Sequence, residues 1–428
     1  MGMLIAGRSI QGIGGGGINM LIELIVCDMV PLRERGNFIG LLFGSVTVGA
    51  ALGPFIGGII VQRTTWRWVF YLNLPIGGAA LVALFTFLHV GYKKEGTTMQ
   101  SLKRVDWLGN AVFVTAVTAI LLALTWGGTI YAWSSFRIIL PLVLGLVGLA
   151  GFQLFESSKF CREPTMPPQL YQNRTSVTAF GLTFIHAMLT YWVLYFLPVY
   201  FQSVLLSTPA RSGVQLLPTI LGLIPFAIVS GLLLTKWGRY RPLHHIGFAL
   251  MAVGFGIFTL LGPNSSTAVW VIFQIVNAAG TGLIASVLLP ATQACLSEAD
   301  TATATGTWSF IRSFGAIWGV SIPSAVFNNR CSNLAGRIDD PNVRGFLMGG
   351  RAYEHATKLF VASYQGTLRD EIISVYSDSL KLVWQVAIAI SGLAFLLVII
   401  EKEVKLRTEL DTDFGMTDEK PKKVEEEP

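Results

Sequence analysis

Long apolar runs bounded by charged residues dominate the sequence. Within each run the apolar positions are continuous rather than alternating, and the runs reach the length of about 20 residues that crosses a bilayer core as an α-helix. About eleven such segments are predicted, near residues 3–28, 37–61, 67–89, 107–127, 137–156, 176–200, 213–235, 244–262, 268–290, 306–327 and 381–400. The pattern excludes a membrane β-barrel, whose strands are shorter and alternate in polarity. It predicts an all-α polytopic membrane protein.

The composition supports a membrane protein and excludes several other classes of protein. The 428 residues are 52% hydrophobic and only 13% charged, whereas a soluble domain is about 25% charged. The four cysteines form no CxxC pair, so we expect no disulfide framework, no metal site and no cofactor. The N-terminal apolar stretch contains Arg8 and is too long for a signal peptide. The net charge of +6 indicates a loop bias rather than nucleic-acid binding.

The distribution of Lys and Arg among the short loops predicts the orientation. One set of alternate loops carries most of the cations: Arg33, Arg35, Lys93, Lys94, Lys103, Arg104, Lys159, Arg162, Arg174, Lys236, Arg239 and Arg241. The opposite set carries only Arg63, Arg67, Arg137 and Arg211. The first set is therefore predicted to be cytoplasmic, together with the tail 401–428, which we expect to be solvated and disordered. The segment 328–379 is placed outside and is expected to be helical in part.

The most specific motif is the string GxxxGPxxGG. Gly49, Gly53 and Gly57 are spaced by four and share a helix face, Gly58 follows them, and Pro54 permits a kink. Small residues at this spacing also occur in ordinary helix packing. The whole string resembles the antiporter signature of the fifth helix in the major facilitator superfamily, which implies a transporter fold.

The preceding apolar segment carries an intramembrane cation. Arg8, Gln11 and Gly12 resemble the RxxQGxG motif of the fourth helix in that superfamily. A charge within an apolar segment must face a partner or a watery cavity, or else it extends to the interface. The resemblance favours the first and implies a role for Arg8 in proton coupling. Asp28 opens the loop that corresponds to the family's connection between helices four and five.

A third string identifies a branch of the superfamily. Trp66, Arg67, Trp68, Asn73 and Pro75 match the signature WRWxFxxNxPxG, which is similar to the sixth helix of the drug:proton antiporters with fourteen helices. As chemistry alone, the string is an interfacial aromatic belt. Counting from these motifs, the first segment corresponds to the family's fourth helix and the last to its fourteenth, so that about eleven of fourteen expected helices are present. The resemblance therefore implies that the first three helices are lacking.

The resemblance also implies a division of the chain. The expected parts are an incomplete N-terminal half (1–89), a linker helix pair with cytoplasmic loops (90–175), a C-terminal half (176–400) that includes the outer loop 328–379, and the charged tail (401–428). Gly231, Gly238 and Arg239 resemble the family's cytoplasmic loop motif GxLaDRxGR, which implies a clamp between helix ends. Thr235 stands where that motif has Asp. A basic turn without such a role remains the alternative.

Polar and aromatic residues within the segments are candidates for a substrate cavity. Transporter sites lie near the bilayer midplane between the two halves, and the candidates are Asn19, Glu23, His186, Tyr191, Trp192, Gln274, Asn277, Trp308 and Arg312. Each could instead be a satisfied core residue. Together they indicate a cavity for amphipathic, mostly apolar solutes. We predict no catalytic residues, because the segments and loops contain no nucleophile–base pair.

The resemblance implies a secondary transporter that exports drugs, toxins or secondary metabolites in exchange for protons by alternating access. The loop around Asp28 and the long outer segment look like those of fungal members. The expected partners are a small amphipathic substrate, protons and the lipid bilayer, with a monomer in the plasma membrane rather than the vacuolar membrane. The alternatives are a siderophore or nutrient carrier, or an inactive truncated membrane protein or scaffold.

Overall fold

The continuous apolar segments fold into long helices. The structure, a computed structural model, describes residues 2–65, 67–87, 90–91, 105–127, 130–158, 161, 164, 166–297, 300–406 and 415–416. Its helices are α1 (Gly2–Met29), α2 (Arg35–Arg63), α3 (Trp68–Tyr71), α4 (Asn73–Phe87), α5 (Trp107–Trp126), α6 (Phe136–Glu156), α7 (Arg174–Ser203), α8 (Pro209–Gln215), α9 (Leu217–Trp237), α10 (Arg241–Phe258), α11 (Thr267–Ala285), α12 (Leu288–Gln293), α13 (Thr301–Leu334), α14 (Pro341–Leu347), α15 (Lys358–Val361) and α16 (Gly366–Leu397).

The all-α polytopic class is confirmed, because helix occupies every predicted segment. Within the described residues, nine helical stretches are long and apolar enough to cross a membrane. The last two long helices extend beyond their apolar segments into 328–379, a region predicted to be helical in part. Helix α13 continues to Leu334, and α16 begins at Gly366 rather than near residue 381. Both helices extend beyond their apolar runs because the extensions pack on each other: Cys331 and Ser379 are buried and in contact.

Short polar signals set several helix ends. Asp106 and Asn173 cap α5 and α7, because their side chains accept hydrogen bonds from the backbone N–H groups of Gly109 and Thr175. Helix α9 ends at Gly238, whose φ of +66° is the left-handed conformation favoured by glycine after a helix. The backbone N–H of Gly238 donates to the Leu234 carbonyl and closes the last turn.

The helices differ in how extensively they pack on one another. Helix α7 packs on α13, α11 packs on both α9 and α10, and α10 and α13 pack on α16. The core of this group contains the wholly buried Trp192, Trp308 and Trp384. Helix α2 joins it by lying along α9, and α5 pairs with α6 beside α13. Helix α4 contributes no buried residue to the described core.

The tail that follows α16 returns to the bundle. The prediction of a solvated tail is wrong for residues 401–406, since Glu401 and Leu406 are each only 2% exposed. Farther along, strand β2 (Gly415–Met416) pairs antiparallel with strand β1 (Val90–Gly91), which follows α4. The acidic run at the end of the tail and Trp66 lie outside the described residues. We call the end of the bundle that carries residues 30–35, 235–241 and 401–406 the basic end.

Candidate transport site

A cavity of about 510 Å³ lies between α1 and α2 on one side and α7, α9, α11 and α13 on the other. Its size is within the range of about 300–1,000 Å³ that is typical of small-molecule sites. Most of the wall surface is apolar, and 13 of the 25 lining residues carry a polar group. They are Asn19, Glu23, Ser45, Thr183, His186, Thr190, Tyr191, Thr219, Asn277, Thr281, Trp308, Arg312 and Ser313. The arrangement can hold an apolar molecule with a small number of polar groups.

An ion pair crosses the cavity wall. The Nη2 atom of Arg312 on α13 lies 2.5 Å from Oε1 of Glu23 on α1, and Glu23 is 2% exposed. The guanidinium also lies over the Trp308 ring, with 4.7 Å from Cζ to the ring centroid, which adds a cation–π attraction. Charges in a membrane interior persist only when paired or hydrogen-bonded, and they mark functional sites. This pair links two helices that otherwise belong to different sides of the cavity.

The other polar groups divide into those with protein partners and those without. The Nε2 atom of His186 lies 3.0 Å from the Thr281 carbonyl oxygen, so that nitrogen carries the proton and donates it. The Thr190 hydroxyl donates to the carbonyl of His186 in the preceding turn. Asn277 Nδ2 and Trp308 Nε1 are buried with no protein acceptor among the described residues. Both atoms are enclosed by protein and have almost no surface open to the cavity.

The structure brings most of the predicted cavity residues together. Asn19, Glu23, His186, Tyr191, Asn277, Trp308 and Arg312 all line the cavity. Trp192 and Gln274 do not. Trp192 is wholly buried in the core, one position around the helix from Tyr191. Gln274 lies behind the wall, where it accepts a hydrogen bond from the Thr219 hydroxyl.

Sequence reasoning missed the hydroxyl groups of the wall. Thr183 and Thr190 lie on α7 and Thr219 on α9, and all three line the cavity. A recognisable signal existed on α7, because Thr183, His186 and Thr190 are spaced by three and four and so share one helix face. Single hydroxyl residues elsewhere carry no such pattern.

The fourth-helix motif lies away from this cavity. Arg8 is exposed, and its Nη1 atom donates to Gln11 Oε1 over 2.8 Å. No atom lies within 4 Å of the position that a Cβ would take at Gly12. Asp28 is half-buried near the end of α1. The structure thus brings Arg8 and Gln11 together but does not bring them to Glu23.

The antiporter glycines make no close helix contact with the described residues. A Cβ at Gly49, Gly53 or Gly57 would meet no atom within 4 Å. Pro54 and Gly58 lie on the same helix. In the sixth-helix signature, Arg67, Trp68, Asn73 and Pro75 are exposed. The packing role that the resemblance implies for these residues therefore stays a prediction.

The basic end of the bundle is closed by Arg33. Its Nε donates to the Thr235 carbonyl over 2.8 Å and its Nη2 donates to the Lys236 carbonyl over 3.1 Å. These carbonyls end α9, where a cation is favoured by the helix dipole. The Thr235 hydroxyl donates in return to the Arg33 carbonyl. The position where the family motif has Asp thus joins the two sides of the bundle through a hydroxyl.

Arg35 reinforces the same closure from inside. The residue is wholly buried, and it donates to the carbonyls of Val30 and Cys27 and to Gln293 Oε1 over 2.8–2.9 Å. Gln293 Nε2 in turn donates to the Thr305 hydroxyl. Each of the three guanidinium nitrogens therefore donates to an oxygen, and these bonds connect the start of α2 to the end of α1, to α12 and, through Gln293, to α13.

Helix α2 crosses α9 at a glycine contact. A Cβ at Gly231 would lie 2.6 Å from the Gly36 carbonyl oxygen, which is closer than real Cβ atoms approach. A Cβ at Gly40, one turn along α2, would lie 3.0 Å from the Ala227 carbonyl oxygen. Of the predicted loop motif, Gly231 thus allows close backbone approach, Gly238 ends the helix, and Arg239 stays exposed.

We predict that Arg33→Gln weakens closure of the basic end. The change removes the charge from both bonds, to the Thr235 and Lys236 carbonyls, and a charge-assisted bond contributes about 1.5–3 kcal/mol. A cysteine introduced at Ser313, on the cavity wall, should then react several-fold faster with a membrane-impermeant maleimide added at the basic end. Arg174→Gln, an exposed cation at the same end, is the control. Equal rates in the two variants would contradict the assignment.

Side chains that could hold a metal ion occur away from the cavity. Ligand atoms of Asp106, Glu156 and Cys161 lie within 4.8 Å of one another. The Asp106 carboxylate already accepts a hydrogen bond from the backbone N–H of Gly109, and Glu156 accepts one from Met166. The described geometry therefore gives these carboxylates structural roles at the ends of α5 and α6.

A helical bundle with a charged central cavity and a closed end defines a polytopic membrane transporter. Residues 1–320 match the family model of the Major Facilitator Superfamily, and the chain belongs to that family. It is 56% identical over 420 residues to the MFS-type transporter gkaD of Penicillium citrinum, covering 98% of this chain and 72% of that protein. It is 48% identical over 435 residues to the MFS-type efflux transporter phmH of Phaeosphaeria nodorum, covering 100% of this chain and 76% of that protein.

Among solved structures, the chain is similar to a bacterial homologue of the human lysosomal transporter Spinster in an inward-facing and occupied conformation. The TM-score is 0.41 and the sequence identity is 14%, with 90% of this chain and 92% of that chain covered.

Proposed function

We propose that this protein exports small, mostly apolar molecules by alternating access, with proton entry coupled to export at Glu23. The observation that carries the proposal is the ion pair of Glu23 and Arg312 on the wall of a cavity of about 510 Å³. Helices α1 and α13, which supply the two charges, belong to the opposite sides that alternating access must move apart. The relatives named as efflux transporters support the direction of transport.

The cavity chemistry supports an amphipathic substrate with hydrogen-bond acceptors. The surface of the wall is mostly apolar and includes aromatic surface from Tyr191 and Trp308. Arg312 lines the cavity with 21% of its side chain exposed and favours a ligand with carbonyl or ether oxygens, because a guanidinium carries several N–H donors. Sugars and phosphates, which need many polar partners, fit this wall less well.

Protonation of Glu23 provides a physical switch. While Glu23 is ionised, its attraction to Arg312 holds α1 against α13. A proton taken from the outer side neutralises the carboxylate and removes that attraction, which changes the balance between the two arrangements of the transporter. Loss of the proton on the inner side restores the pair. Because the pair and the substrate share one cavity wall, occupancy by one affects the other.

The remaining expectations belong to the same proposal. They are a fourteen-helix plan in which residues 1–89 form part of the N-terminal half, a linker pair at 90–175, a C-terminal half at 176–400, a monomer, and a plasma-membrane location with the basic end in the cytoplasm. The proposal makes the chain a transporter rather than an enzyme. It places proton coupling at Glu23, whereas the motif resemblance favours Arg8.

The test uses inside-out vesicles with an imposed pH gradient and an amphipathic fluorescent probe. We predict that Ala316→Trp, which fills the cavity wall, lowers gradient-driven uptake of the probe at least about tenfold, since a large side chain excludes the ligand. Ile317→Trp, one position along α13 and 41% exposed, should leave uptake near the unmodified level. Uptake that Ala316→Trp leaves unchanged would contradict export through this cavity. Lack of uptake by the unmodified chain would also contradict it. Uptake in the reverse direction would favour a siderophore or nutrient carrier.

A further inference from the structure

Six residues after the last helix form an ordered segment across the basic end. We call residues 401–406 the strap. Glu401 and Leu406 at its two ends are buried, Glu403 and Val404 are half-buried, and Lys402 and Lys405 are exposed. A fully solvated charged tail would bury neither end.

Two glutamates fix the strap to α10. Glu401 Oε2 lies 2.8 Å from His244 Nδ1, and both side chains are wholly buried. Glu403 lies near the start of α10, close to the backbone N–H groups of Tyr240 and Arg241 and to Arg239. Burial raises the pKa of the Glu403 carboxyl, and Arg239 with those backbone donors opposes the rise. Carboxylates are favoured at a helix N-terminus, so both negative charges have partners built into the bundle.

Backbone groups of the strap are also satisfied. The Tyr240 hydroxyl donates to the Lys402 carbonyl and accepts from the backbone N–H of Val404 over 3.0 Å. The backbone N–H of Lys402 donates to the Thr175 hydroxyl over 3.1 Å. These bonds connect the strap to the N-terminal ends of both α7 and α10.

Leu406 brings the strap into contact with the moving part of the bundle. It belongs to one buried apolar cluster that also contains Leu32, Leu234, Tyr240, Leu243 and Val287. Leu32 precedes Arg33 in the loop between α1 and α2 and is wholly buried. The cluster therefore joins the α1–α2 loop, the C-terminal half and the tail. The pairing of β2 with β1 takes the tail on towards the segment that follows α4.

We propose that the strap is a conformational device that holds the basic end closed and must release its apolar contact when that end opens. Opening separates Leu32 and Arg33 from α9, which disrupts the cluster that buries Leu406. The strap stays attached to α7 and α10 through its polar bonds. Its burial of Leu406 thus adds to the closing contacts of Arg33 and Arg35. The inference rests on the alternating access proposed above.

A native thiol reports on the strap. Cys295 is half-buried, close to Thr175, Asn173 and Lys402, and burial raises the pKa of its thiol. Release of the strap should expose the thiol and raise its thiolate fraction, both of which speed maleimide labelling. A second reporter, Ser313→Cys on the cavity wall, reads opening of the basic end itself. Labelling at each site is read separately by peptide mass spectrometry on the full chain in inside-out vesicles.

We predict that Leu406→Asp speeds labelling at both cysteines by roughly tenfold, because the strap then loses the buried apolar contact that favours closure. Tyr240→Phe keeps the ring in the cluster and removes only the hydroxyl bonds to the strap, so we expect a rise of about two- to fivefold at both sites. Lys405→Asp, an exposed neighbour with the same new side chain, should change neither.

The results separate the possible roles of the strap. Faster labelling at Cys295 with an unchanged rate at Ser313→Cys would overturn the proposal, because the strap would then be only a cover. Unchanged labelling at both sites in Leu406→Asp and Tyr240→Phe would also overturn it. Failure of the cavity proposal is detected separately, since it appears as uptake unaffected by Ala316→Trp while both labelling rates still respond to Leu406→Asp.

Discussion

Glu23→Gln is expected to abolish transport driven by a pH gradient. The substitution keeps the size of the side chain and removes the carboxylate that carries both the proton and the attraction to Arg312. Without a group that titrates, the gradient has no means of changing the contact between α1 and α13. In inside-out vesicles we expect gradient-driven uptake of the amphipathic probe to fall by at least about 100-fold, a change equivalent to about 2.7 kcal/mol.

A stability measurement distinguishes lost coupling from lost folding. Removing one partner of a buried pair leaves the other charge uncompensated and costs about 3–5 kcal/mol; Arg312 is 21% exposed, which places the expected loss at the lower end. Glu23→Gln with Arg312→Gln removes both charges and should restore the unfolding free energy but not the transport. Glu34→Gln, an exposed carboxylate at the basic end, is the control. Gradient-driven uptake at the unmodified rate in Glu23→Gln would show that protons are coupled elsewhere.

The membrane-spanning segments could be predicted from the sequence because an unbroken run of apolar residues is a local property. Whether a given side chain reaches the cavity depends on helix rotation, and adjacent residues differ by about 100° around a helix axis. Tyr191 lines the cavity and Trp192 is buried in the core for this reason. The pairing of Glu23 with Arg312 joins two helices that lie far apart in the chain. No spacing in the sequence could predict it.

The strap shows the same limit for charged residues. Residues 401–406 contain two Glu and two Lys, a composition typical of a solvated tail, and charge alone predicts exposure. Glu401 is buried and Glu403 is half-buried instead, because His244 and the start of α10 lie against them. Those partners belong to a helix far earlier in the chain. The packing of the tail on the bundle could therefore be found only once the positions of α7 and α10 were known.

Close backbone approach at Gly231 is expected to control closure of the basic end. A Cβ at this position would lie 2.6 Å from the Gly36 carbonyl oxygen and 3.0 Å from the Asn37 Cα. Both are backbone atoms, so α2 as a whole would have to move away from α9. The Arg33 bonds to the carbonyls of α9 would then lengthen or break. The change therefore acts on the same closure as the strap, but through helix separation.

Gly231→Ala should speed labelling of Ser313→Cys from the basic end several-fold, and Gly231→Val should speed it further, because overpacking costs about 1–3 kcal/mol and grows with side-chain size. Gly256→Ala on α10 is the matched control, since a Cβ there meets no atom within 4 Å. That control should be neutral or stabilise the helix by about 0.5–1 kcal/mol. If Gly231→Val labels at the rate of the control, the crossing of α2 and α9 does not govern closure, and the bonds of Arg33 and Arg35 with the strap must maintain it without that contact.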